Sequence, residues 1–124
     1  MKQKRPVNLD LGTLSYPPMA IASILHRLSG IILFLLFPFA LYLFNLSLHS
    51  ETTFQDMQML LTGRIYKFFI WVFCSALSYH VFAGVRHILM DIGFGERLQT
   101  ARNTAVFVIV LAILSTILLG IWIW

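Results

Sequence analysis

Polar and apolar positions are distributed very unevenly along this chain. Three long stretches, residues 28–49, 68–85 and 103–124, contain no Asp, Glu, Lys or Arg. None shows the period-2 alternation of a half-buried strand. An α-helix rises about 1.5 Å per residue, so about 20 apolar residues cross a hydrocarbon core about 30 Å thick. In hydrocarbon, each backbone N–H and C=O must be paired within its own segment, which leaves helices as the reading for all three. The second stretch gains a comfortable length when Lys67 and Arg86 flank it and snorkel towards the two interfaces. The pattern therefore predicts an all-α integral membrane protein with three transmembrane helices. They span approximately residues 20–48, 65–90 and 103–124 of a single domain covering 1–124.

Between the spans, residues 47–63 are polar and carry Glu51 and Asp56, so they read as a connecting loop. Residues 91–102 form the second loop, with Gly93 and Gly95 helping to end the second helix. Pro17 and Pro18 suit the start of the first helix, and Pro38 inside it predicts a kink. Lys2, Lys4 and Arg5 are not a cleavable signal, because the first apolar run begins only near residue 19 and is too long for one.

Composition narrows the function. The chain has 124 residues, of which 59% are hydrophobic and only 11% charged, with a mean hydropathy of +0.83. Soluble domains carry about 25% charged residues, so disorder and an ordinary soluble enzyme are excluded. The net charge of +4 is too scattered to track phosphates, so a lipid bilayer and no nucleic acid is the expected surrounding. Cys74 is the sole cysteine, which excludes an intrachain disulfide and a multi-cysteine cluster and leaves a small packing residue. Lys2, Lys4, Arg5, Arg86, Arg97 and Arg102 lie on one side of the bilayer, against Arg64 and Lys67 on the other. Positive charge favours the cytoplasm, so the N-terminal segment 1–19 and the second loop are expected there and the C-terminus outside. Trp71, Trp122 and Trp124 then fall at the outer ends, as interfacial anchors.

The polar exceptions inside the spans are expensive there and mark candidate function. On the second span, Ala76, His80 and Gly84 are spaced i, i+4, i+8, with His87 on the same side. Small residues one turn either side of His80 leave a bare strip. A planar macrocycle can lie edge-on against such a strip while an imidazole binds its iron. His80 and His87 stand about 10 Å apart along the axis, which suits iron at the first and the macrocycle's propionates at the second. The same spacing equally suits a small-residue packing face with His80 hydrogen-bonded to a neighbouring helix. No further ligand stands at i+3 or i+4, which disfavours zinc or copper.

On the first span, Ser23, His26 and Arg27 form a polar wedge near its cytoplasmic end. A hydroxyl and a permanent cation suit a carbonyl oxygen that gains negative charge, such as that of a quinone under reduction, and equally a haem propionate. Alternatively, Arg27 reaches lipid headgroups and Ser23 caps the helix. Because the two spans run in opposite directions, both clusters converge in one leaflet. That convergence favours a redox-ligand site over scattered structural polar residues.

Three motifs carry a resemblance: Arg5-Pro6-Val7-Asn8-Leu9-Asp10-Leu11, Ser23-x-x-His26-Arg27-x-Ser29, and His80-x-x-x-Gly84-x-Arg86-His87-x-x-x-Asp91. Together they resemble the cytochrome b membrane-anchor subunits of succinate dehydrogenase (complex II), across nearly the whole chain. The resemblance implies a bundle shared with a second anchor subunit, holding an iron–sulfur subunit and a flavoprotein subunit to a bacterial inner membrane or its equivalent. It implies His80 as an axial iron ligand of haem b, with the other ligand from the partner anchor. It places Ser23 and Arg27 at the ubiquinone site, and His26, Arg27 and His87 near the haem propionates. The tail from Arg5 to Leu11 is expected against the peripheral subunits. Such a chain has no catalytic residue of its own and works only within the complex that passes electrons from succinate to quinone. Two alternatives stand beside it: an anchor of fumarate reductase, running the reverse reaction, and a cofactor-free structural or assembly subunit.

Overall fold

A computed structural model of the chain describes residues 16–124. The expected contact of the tail from Arg5 to Leu11 lies outside the described residues. Four helices follow one another: α1 (Pro18–His49), α2 (Glu51–Leu60), α3 (Arg64–Asp91) and α4 (Leu98–Ile123). α1, α3 and α4 are long and apolar enough to cross a membrane. They pack against one another in an all-α bundle, while α2 rests on α1.

The helix ends follow from local chemistry. Pro18 opens α1, where its missing N–H is not needed, and the carbonyl of Pro17 accepts from the Ala20 and Ile21 amides. α3 ends in a Schellman motif: the Phe94 amide donates to the Leu89 carbonyl (2.9 Å) and the Gly93 amide to that of Met90 (3.0 Å). The motif needs a left-handed residue, and Gly93 supplies it with φ +91°. α4 begins at Leu98, so its first turn takes in residues that the charge pattern had assigned to the loop.

The polar stretch 47–63 is not a simple loop. Ser50 and Thr53 close a reciprocal capping box that starts α2: the Ser50 hydroxyl accepts from the Thr53 amide (3.2 Å), and the Ser50 amide donates to the Thr53 hydroxyl (3.0 Å). Thr53 also donates to the Leu46 carbonyl (2.8 Å), which folds α2 back onto the end of α1.

Small residues hold the bundle together. α3 buries Ala76, Tyr79, Ala83 and Arg86, and α4 buries Ala101, Ala105, Val108 and Ala112. These alternating steps of three and four residues make one stripe per helix. Most large apolar side chains point outward, as lipid in place of water permits. Alanines let the backbones approach closely, so hydrogen bonds can cross between helices. Tyr79 donates its hydroxyl to the Ala22 carbonyl of α1 (2.7 Å).

Two sequence expectations change here. Arg86 does not snorkel to the interface; it is 7% exposed and turns onto α4, where Nε donates to the Thr104 hydroxyl (3.2 Å) and a terminal nitrogen to the Ala101 carbonyl (3.0 Å). A carbonyl and a hydroxyl on the adjacent helix satisfy the guanidinium within the bundle. Trp71 likewise spends its indole N–H on the Thr116 carbonyl of α4 (2.9 Å) and rests over Gly120, whereas Trp122 stays 82% exposed.

Candidate functional site

α1 and α3 bring three imidazoles together. The His26 ring stacks on that of His80, with centroids 4.2 Å apart and planes 22° from parallel. On its other neighbour, His87, it is tilted by 46° at 5.2 Å. His26 thus fills the interval between His80 and His87 that the spacing had left for a macrocycle. The small residues are used by the helices themselves. A side chain added at Gly84 would meet His26 Nε2 at 3.5 Å, and one added at Gly30 of α1 would meet His80 Cε1 at 3.3 Å. Each glycine makes room for the imidazole of the opposite helix. Ala76 is likewise buried in the bundle. The strip around His80 is not bare.

Ser29, the last residue of the Ser23-x-x-His26-Arg27-x-Ser29 motif, meets the stack from α1. It is 5% exposed, and its hydroxyl donates to the His26 carbonyl (2.7 Å) and lies 2.9 Å from Nδ1 of His80. A serine donating to a carbonyl one turn back is common in apolar helices. The motif Ser23-x-x-His26-x-x-Ser29 marked two hydroxyls flanking a histidine, but only the packing shows which one faces α3.

His80 is thereby held on one edge, while no hydrogen bond from the described residues reaches its Nε2. Nε2 of His26 is buried without a hydrogen-bond partner. Among the described residues, no three His, Cys, Asp or Glu side chains are grouped to hold a bare metal ion.

Ser23 and Arg27 do not join the histidine stack. At about 100° per residue they lie about 60° and 100° around α1 from His26, on the side of His26 opposite to Ser29. Ser23 is half-buried and Arg27 exposed. They sit on the same two turns as His26, so they share its depth. Asp91 is exposed at the end of α3. Tyr16, Pro17, Pro18 and Met19 line one cavity with Leu98, Gln99 and Arg102, so the starts of α1 and α4 meet at one end of the bundle. A separate cavity of about 500 Å³ between α3 and α4 is lined by apolar side chains with Arg86, Thr100 and Thr104 and holds none of the histidines.

Residues 1–119 match the family of succinate dehydrogenase/fumarate reductase transmembrane subunits. The chain is 44% identical, over the full length of both, to a protein of Coxiella burnetii named succinate dehydrogenase cytochrome b556 subunit. Proteins of that name from Rickettsia typhi and Rickettsia prowazekii are 32% and 31% identical, each over 95% of this chain and 92% of the relative. A membrane bundle of three long apolar helices and a match across nearly the whole chain agree: this protein belongs to the succinate dehydrogenase/fumarate reductase transmembrane subunit family.

Proposed function

We propose that this chain is the cytochrome b membrane-anchor subunit of a succinate dehydrogenase, in which His80 would hold the iron of a haem b shared with a second anchor subunit. Ser23 and Arg27 contribute to the ubiquinone-reduction site beside it. The observation that carries this reading is the gathering of His26, His80 and His87 on facing helices, at the depth of Ser23 and Arg27.

The residues fit the haem. A lone imidazole nitrogen without a protein partner, with no second and third ligand grouped around it, suits a metal that brings four of its own ligands and needs one from each of two chains. When bound, the haem supplies a one-electron redox centre. The chain's own part is to hold the ligand ring: His26 covers one face of His80, and Gly30 leaves room at its edge. His26, Arg27 and His87 are the groups assigned to the propionates, Arg27 as the permanent cation.

On the quinone, Ser23 donates its hydroxyl to a carbonyl oxygen, and the Arg27 guanidinium stabilises the negative charge that oxygen acquires on reduction. Both lie on the side of His26 opposite to Ser29, and a second anchor and an iron–sulfur subunit would complete the pocket. Electrons originate on the flavoprotein subunit, and protons enter from the cytoplasmic side, where the N-terminus lies. The complex sits in a bacterial inner membrane or its equivalent.

Separating two half-reactions tests the quinone assignment. Ser23→Ala and Arg27→Leu are expected to cut quinone reduction by about 100- to 1,000-fold, in line with removal of a transition-state donor. Dye-coupled succinate oxidation should remain, because that chemistry lies on other subunits. Equal loss of both activities would show that the residues act through assembly and would refute the pocket.

A further inference from the structure

Resting on the reading of His80 as a haem ligand, we infer that Ser29 is its positioning residue, setting the tautomer and ring orientation that leave Nε2 as the donor atom. A serine hydroxyl carries one hydrogen. The carbonyl of His26, 2.7 Å from Ser29 Oγ, can only accept, so the hydroxyl hydrogen is committed there. Ser29 Oγ is then an acceptor towards Nδ1 of His80 at 2.9 Å, and Nδ1 must carry the ring proton. In a neutral imidazole with Nδ1 protonated, Nε2 holds the lone pair. Nε2 is the nitrogen to which no described residue bonds.

The same geometry fixes direction. Nδ1 and Cε1 face α1, against Ser29 and Gly30, and His26 covers one ring face. The Nε2 lone pair leaves the ring on the side away from Ser29. Ser29 is itself buried and anchored to its own helix, so it makes a rigid acceptor. A metal-bound histidine generally donates its second ring N–H to such a group, which orients the ring and raises its basicity. Here a hydroxyl polarised by a peptide carbonyl takes the place of the usual carboxylate or carbonyl. A more basic ligand favours ferric over ferrous iron, so this hydrogen bond holds the midpoint potential down.

The test is a potentiometric titration of the haem in the purified whole complex, with low-spin electron paramagnetic resonance of the oxidised form, in wild type, Ser29→Ala and Ser29→Thr. Ser29→Ala only shortens a buried side chain, so the bundle is expected to assemble. Its haem midpoint should shift upward, and its largest g-value signal should broaden as the ring loses its anchor. Ser29→Thr, which keeps the hydroxyl, should restore the wild-type midpoint. Loss of haem from an otherwise assembled Ser29→Ala complex would also support the inference. A Ser29→Ala complex with full haem, wild-type midpoint and wild-type line shape would overturn it while leaving His80 as ligand. A wild-type complex without haem would instead refute the ligand reading itself.

Discussion

The imidazoles of His26 and His80 stack at 4.2 Å across the contact between α1 and α3, each against a glycine of the opposite helix. The two glycines are not equivalent. A methyl at Gly84 would meet His26 at ordinary van der Waals distance, 3.5 Å, while one at Gly30 would press on His80 at 3.3 Å. Gly84→Ala should therefore leave the haem spectrum unchanged and gain up to about 1 kcal/mol of helix propensity. Gly30→Ala should perturb the spectrum and lose part of that gain, or more, to an overpacking cost of about 1–3 kcal/mol. Thermal unfolding and optical spectra of the two complexes check this, and identical behaviour of the two variants would contradict it.

Arg86 gives a prediction about sign. Its guanidinium is buried and relies on Thr104 and the Ala101 carbonyl. Removing one acceptor leaves a buried donor unpaired, which costs about 1–3 kcal/mol, whereas removing both partners of such a pair is nearly neutral. Thr104→Val should thus lower the Tm of the complex, and adding Arg86→Met should recover most of the loss. A neutral Thr104→Val would show that this bond contributes nothing.

Membrane orientation can be read by accessibility labelling. A tag at the N-terminus should be reached only from the cytoplasmic side and one at the C-terminus only from outside. The reverse pattern would carry Ser23, His26 and His80 to the far leaflet, away from the catalytic subunits.

The three long helices were legible because freedom from charge over about 20 residues is a one-dimensional signal. α2 was not, because it is polar and its capping box uses Thr53 where Glu or Gln is the familiar third residue. Arg86 was misread for a different reason. Snorkelling is judged by distance along a helix, and its actual acceptors, Ala101 and Thr104, come from another helix. The histidine stack was half visible. Spacing put His80 and His87 on one face, but only the crossing of α1 and α3 shows that His26 lies between them and that Ser29, not Ser23, reaches His80.

The reduced-minus-oxidised optical spectrum of the purified complex, compared between wild type, His87→Leu and His80→Leu, tests the central claim most directly. The account predicts a b-type band in wild type and in His87→Leu that is lost in His80→Leu. A wild-type complex without the band, or one whose band survives His80→Leu unaltered, would contradict it.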